Sequence, residues 1–410
     1  MKAFNNLKII GIDHGYGNIK TANHCFKTGI VGYDSEPLFT KDMLVYDGRY
    51  YLIGEGHKEF LAEKHFDNDY YCLTLVAIAK ELKTEGLTEA DVVIAAGLPL
   101  TWTSGQKKAF AEYLRQKDYV EYVYQDISYH IHIVDVKVYP QGYSAIAPFA
   151  SALHGLSVLA DIGNGTMNTL YLVNGRPQSG QMFTEKFGTY QCTLAIREGF
   201  MRETRRELND IIIDEVLCNG TADIPISDLN IIKRIAEEYV ADIFRRLREH
   251  GYDENTMKLI VSGGGGCLIK HFGNINPDRV EFIDDICAAA KGYEYIAEIK
   301  LKANKHMQND YRLNLRFRLD NPKEKQASEY LQSLQGISRN QFIIDAVLSY
   351  IEKRNAKALT IDDIRSIFKE ELKAVSFVLA GNDTTNAKFL TEEEQAENIQ
   401  NVIEDLDMFD

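Results

Sequence analysis

Two aspartates, each followed by a glycine-bracketed turn, carry the clearest chemical signal in this chain. They are Asp13-His14-Gly15-Tyr16-Gly17-Asn18 and, 148 residues further on, Asp161-Ile162-Gly163-Asn164-Gly165-Thr166. A carboxylate at the end of a strand can hold the water shell of a divalent cation or orient a water molecule. The glycines let the chain turn back and let backbone N–H groups approach an anion with no Cβ in the way. These residue types in this order suit the clamping of a phosphate chain. A third run, Gly263-Gly264-Gly265-Gly266, offers bare backbone against which the sugar and base of a nucleotide could lie.

The elements that must position these residues are also legible. Leu7 to Ile12, Ser157 to Ala160 and Leu259 to Val261 are aliphatic, β-branched runs of the kind that form buried strands. The glycine run at 263–266 precedes an expected helix. An Asp-x-Gly turn by itself is common in ordinary hairpins. Two in matching context predict a duplicated α/β fold with a central cleft.

Composition sets the outer bounds. With 410 residues the chain is long enough for two or three domains, and 45% hydrophobic and 26% charged residues are ordinary for a globular protein. A formal charge of −14 excludes a general nucleic-acid coat, so any DNA contact must be local. Six cysteines (25, 72, 192, 218, 267 and 287) lack metal-site spacing and read as reduced thiols. No leader-like start and no apolar run of spanning length is evident, so a cytoplasmic location without a membrane partner is expected.

Five blocks in order over the first 300 residues resemble the actin, Hsp70 and sugar-kinase superfamily, with its RNase H-like fold. Within it the chain is most similar to the ParM/StbA plasmid-partition actins. Ile9 to Lys20 matches the first phosphate block, Val138-Tyr139-Pro140-Gln141-Gly142-Tyr143-Ser144-Ala145 the first connecting block, and Asp161 to Thr169 the second phosphate block. Val261 to Cys267 matches the adenosine block, and Cys287 to Tyr293 the second connecting helix. The resemblance implies roles. Gln141 would orient the attacking water, Asp13 and Asp161 would hold hydrated Mg²⁺, and Lys20 would neutralise phosphate charge. Gly15, Gly17, Asn18, Gly163, Asn164, Gly165, Thr166 and Gly263 to Gly266 would cradle the nucleotide, ATP or GTP. Arg197 and Glu198 would lie against adenine and ribose. These blocks imply an ATPase domain over 1–305 in two lobes, 1–150 and 151–305.

Beyond it the pattern changes. Lys302 to Asp310 is polar and reads as a linker. Tyr311 to Leu319 alternates strictly, with Leu313, Leu315, Phe317 and Leu319 on one face and Arg312, Asn314, Arg316 and Arg318 on the other. Asn321-Pro322-Lys323-Glu324 announces a helix to about Leu334, Gly336 ends it, and Ser338-Arg339 opens a second helix. Strand, helix, turn and helix over 311–355 resemble the ribbon-helix-helix DNA-binding modules, which pair two chains into a shared ribbon. That resemblance places Arg312, Asn314, Arg316 and Arg318 at the major groove and Ser338 and Arg339 at a phosphate. Eight Lys/Arg against six Asp/Glu over 310–355 make this stretch slightly basic in an acidic chain. The remaining 356–410 is expected to be a helical, acidic tail, with a helix over 361–378. Its last part carries Ile399, Val402, Ile403, Leu406 and Phe409 at helical spacing. A fit of that stripe into a groove of an actin-like domain is expected, with Ile399, Val402, Leu406 and Phe409 as anchors.

Together these resemblances imply an ATP-dependent polymerising protein that segregates plasmid or mobile-element DNA through centromere-like repeats. Two other readings stay open: a metabolite kinase with a DNA module, and a nucleotide-gated DNA-binding regulator that forms no filaments.

Overall fold

The aliphatic runs before the two aspartates become middle strands of two sheets. In the first half lie β1 (Lys2–Phe4), β2 (Leu7–His14), β3 (Asn18–Lys20), β4 (Cys25–Lys27), β5 (Ile30–Tyr33), β6 (Met43–Tyr46), β7 (Arg49–Ile53), β8 (Glu89–Leu98), β9 (Tyr119–Tyr124) and β10 (Ile127–Pro140). They form one sheet in the order β4-β3-β2-β8-β10-β9-β6-β7-β5, with β1 paired to β2. The second sheet contains β11 (Leu156–Ile162), β12 (Met167–Val173), β13 (Arg176–Glu185), β14 (Lys258–Ser262) and β15 (Val280–Phe282), in the order β13-β12-β11-β14-β15. The path β4-β3-β2-β8-β10 repeats in β13-β12-β11-β14-β15, each with two antiparallel pairings followed by two parallel ones. The duplicated fold expected above is therefore present in the topology.

This is a computed structural model that describes residues 1–38, 41–55, 68–309, 322–333, 342–343 and 391–409. Its compact units are Met1–His306 with Lys388–Asp410, and Met307–Ala387.

The helices of the first unit follow apolar periodicity. Helices α1 (Asn68–Thr84) and α2 (Thr103–Leu114) cover the first sheet, burying Tyr70, Leu73, Phe110 and Leu114 in one core. On the second sheet lie α4 (Thr189–Thr204), α5 (Asp210–Asn219) and α6 (Ile226–Glu249), and α6 buries Ile232, Ala236, Tyr239, Ile243 and Leu247 along one face. A third core lies between the sheets. It joins Ile9 and Val93 from one sheet to Leu159, Leu170 and Ile260 from the other, through α3 (Tyr143–Ile146) and α8 (Ala288–Asn309). Helix α7 (Gly266–Phe272) follows the glycine run.

Two expectations about the later chain need correction. Lys302 to Asn309, read as a linker, continues α8. Lysine, alanine, glutamine and methionine all favour helix, and Lys302 Nζ donates to Glu298 one turn back at 2.6 Å. The acidic end is a helix as expected, α10 (Glu392–Leu406), but it belongs to the first unit rather than to a tail of its own. Thr391 and Glu394 cap it reciprocally. Val402, Leu406 and Phe409 join the central core, whereas Ile399, expected as an anchor, stays 37% exposed. Buried Asn398 donates to Ala147 O and Tyr295 Oη, both at 3.0 Å, and accepts from Ser151 N at 2.9 Å. Asp405 accepts from Tyr143 Oη and Arg176 Nε, each at 2.9 Å.

In the second unit, α9 (Pro322–Ser333) starts at the expected proline, and Tyr330 meets Phe342 with ring centroids 5.3 Å apart. The alternating stretch with Arg312, Asn314, Arg316 and Arg318 lies outside the described residues, as do Ser338, Arg339 and the expected helix over 361–378. Among the described residues no helix is long and apolar enough to cross a membrane.

Candidate nucleotide site

Each aspartate is set in place by a hairpin. In the first, β2 turns into β3 through Gly15 and Gly17, and Asp13 pairs with Lys20 across the ladder. In the second, β11 turns into β12 and Asp161 pairs with Asn168. Both partners lie seven residues beyond their aspartate, so the duplication extends to register. The hairpin tips face each other: a Cβ at Gly17 would stand 3.0 Å from Asn164 Cγ. The third glycine run closes the same corner. Gly263 takes φ +83°, where a Cβ would also stand 2.9 Å from Asp161 Oδ1, and Gly265 N donates to Ile162 O at 2.9 Å. Only glycine accepts both that dihedral and that approach without strain.

The polar groups converge on Asp13. Lys20 Nζ lies 3.3 Å from Asp13 Oδ2, and Gln141 Nε2 donates to Asp13 Oδ1 at 3.2 Å. Gln141 is brought in from the end of β10, and its backbone N–H donates to Leu98 O at 2.8 Å. Burial pushes the Asp161 carboxyl up to about 6, nearby Asp13 adds to the rise, and Lys20, Asn168 and Ser262 pull against it. Burial would lower the Lys20 ammonium, but Asp13 and Asp161 outweigh it and hold the group above its ordinary value. The cleft floor thus carries two carboxylates and one cation, a balance that a bound metal ion would change.

Comparison with known proteins decides the fold. The model of the family "Actin like proteins N terminal domain" matches residues 11–143. An archaeal actin homolog, also solved with ADP, superposes with a TM-score of 0.59 at 21% identity, covering 71% of this chain and 99% of its own. The fold is actin-like. Alp12 in its filament (TM-score 0.52, 17% identity, 72% and 100% covered) and Bacillus thuringiensis ParM with ATP (0.51, 15%, 73% and 100%) share it. No curated protein sequence matches the chain.

Asp13, Gly15, Gly17, Lys20, Gln141, Asp161 and Gly263 lie together at the ends of the two hairpins. Asn164 and Thr166 shape the second tip: Gly163 N donates to Thr166 O at 2.8 Å, and Asn164 Nδ2 donates to Thr189 Oγ1 at 3.4 Å. Arg197 and Glu198 are exposed on α4, and Arg197 pairs with Asp210 of α5 at 3.5 Å. Sequence reasoning missed Asn168 and Ser262, which both restrain Asp161. The seven-residue spacing from Asp13 to Lys20 was a signal that could have found Asn168. Ser262 carried none.

Among the described residues no group of three or more His, Cys, Asp or Glu could hold a metal ion. Two carboxylates fit Mg²⁺ in another way, because that ion keeps several waters and takes its remaining ligands from phosphates.

Proposed function

We propose that this chain is an ATPase that assembles into filaments in response to nucleotide and moves the DNA to which it is attached through its own ribbon-helix-helix module. The observation that carries the reading is the convergence of both hairpin ends, with Asp13, Asp161, Lys20 and Gln141, on one cleft whose walls are bare glycine backbone.

Mg²⁺, when bound with the nucleotide, would supply charge neutralisation at the β- and γ-phosphates. Asp13 and Asp161 would hold its water shell, and Lys20 would turn from Asp13 to phosphate. The Gln141 amide is a poor base but a good template. With its nitrogen tied to Asp13, its oxygen is left to accept a hydrogen bond from the attacking water and align it in line with the leaving group. Loss of the γ-phosphate would then loosen the lattice after assembly. Filament formation by Alp12 and the ATP complex of B. thuringiensis ParM support carrying both properties to this chain. The DNA part rests on the alternation of Arg312, Asn314, Arg316 and Arg318 and on helix α9 with its proline start. Its partners would be further copies of the chain and a repeated, centromere-like DNA site.

Light scattering with ATP, ADP and no nucleotide tests the reading. A rise with ATP that decays as phosphate is released is expected. Salt-sensitive DNA binding without scattering under any condition would reject it in favour of a nucleotide-gated regulator that forms no filaments.

A further inference from the structure

Helix α8 delivers one phenol to the floor of the cleft that the reaction described above does not use. Tyr293 is fully buried, and its hydroxyl has no hydrogen-bond partner among the described residues. It is fixed from three sides. A Cβ at Gly97 would fall on the hydroxyl itself, so the absence of a side chain there is what admits it. Its ring stacks on Tyr139, two residues before Gln141, with centroids 6.4 Å apart and planes inclined by 21°. Its neighbour Gly292 is pressed against the backbone of Ser144, just beyond Gln141, where any Cβ would clash with the carbonyl. The hydroxyl is thereby held toward the Gln141 amide, within electrostatic reach of Asp13 and Asp161. Burial and these carboxylates hold the phenol well above its ordinary range, so it stays protonated.

A buried hydroxyl without a partner is uncommon in native proteins and calls for an explanation. Gln141 supplies one. An amide nitrogen carries two hydrogens. One is directed to Asp13 Oδ1, which leaves the other for the Tyr293 hydroxyl that interacts with this amide. Hydrogen bonds at catalytic groups are often long before substrate binds and tighten when it does.

We propose that Tyr293 is a positioning residue for hydrolysis: once nucleotide draws the lobes together, its hydroxyl accepts the second N–H of Gln141 and fixes the amide so that Oε1 points at the attacking water. The inference rests on the nucleotide reading above. It assigns Tyr293 no contact with nucleotide, so its effect belongs to the chemical step and not to binding.

The test is Tyr293→Phe, which keeps the ring and its packing, measured for ATP turnover and for nucleotide affinity in the full-length protein. Turnover should fall by about 10- to 100-fold, as when a reacting group is left loosely aligned, with Kd unchanged within about twofold. Tyr129→Phe removes another buried, unpartnered hydroxyl, one that stacks on Tyr122 in the first lobe, and should leave turnover unchanged. In a Gln141→Ala background, Tyr293→Phe should have no further effect, because residues that act through one another are not additive. Wild-type turnover in Tyr293→Phe, or the same loss with and without Gln141, overturns the inference while the nucleotide reading stands. A wild-type protein that neither binds nor hydrolyses ATP overturns both.

Discussion

At the residue scale, the site couples function to an electrostatic cost. Asp161 titrates near 6 in the folded chain, above the roughly 4 of an exposed aspartate, so folding disfavours its charged form. Its contribution to stability is fully present below pH ~4 and is lost as pH rises through about 6. Asp161→Asn should therefore stabilise the nucleotide-free protein at pH 8, by on the order of 1–3 kcal/mol, and much less at pH 4. Thermal unfolding at the two pH values checks this, and an equal shift at both would show that packing, not charge, is responsible. The same variant should lower ATP hydrolysis by on the order of 10²-fold while leaving part of the nucleotide affinity, because most of that affinity comes from backbone and base contacts. Gly263→Ala probes the backbone instead. With φ at +83° and Asp161 Oδ1 where the methyl must go, it should cost about 1–3 kcal/mol and weaken nucleotide binding, read by calorimetry.

At the element scale, α10 shows how an amphipathic stripe is sorted by its seat. Five apolar residues share helical spacing, and the structure uses them unequally. Leu406 is 3% exposed in the central core, whereas Ile399 is 37% exposed. Leu406→Ala should therefore cost about 2–5 kcal/mol and Ile399→Ala no more than about 0.5 kcal/mol, read from denaturant midpoints at constant slope. Equal losses would mean that the helix sits in another register. Because Asn398 and Asp405 bond to both connections between the lobes, through Ser151, Ala147 and Tyr143 on one side and Tyr295 of α8 on the other, removing 391–410 should also lower the unfolding temperature. A merely solvating end would leave it unchanged.

At the scale of the whole molecule, a slightly basic stretch over 310–355 interrupts an acidic chain, and the proposed DNA contact belongs there. The segment over 310–355 should dimerise in sedimentation, since a ribbon needs two chains, and should bind a repeated DNA site with an affinity that falls steeply with salt. Arg316→Ala should relax base preference at a cost of roughly 1–3 kcal/mol, measured by competition among site variants. A segment that stays monomeric at high concentration would overturn this assignment.

What the sequence determined by itself was local. A turn that brings backbone N–H groups to an anion needs glycine where it occurs, and a buried strand needs aliphatic residues in one run. The hairpins at Asp13 and Asp161, the glycine run at 263–266, the strands before them and the proline-led start of α9 could therefore be read without coordinates. What only the tertiary structure decided depends on which surfaces meet. Nothing near Tyr293 in the chain marks it as reaching the cleft near Gln141, because its position is set by α8 packing closely at Gly97 and Gly292. Arg197 satisfies any helix-face pattern equally well, and its pairing with Asp210 follows from how α4 and α5 pack. The return of α10 to the first unit has the same cause. An apolar stripe states that a face must be buried, and the geometry of the seat between the two lobes chooses where.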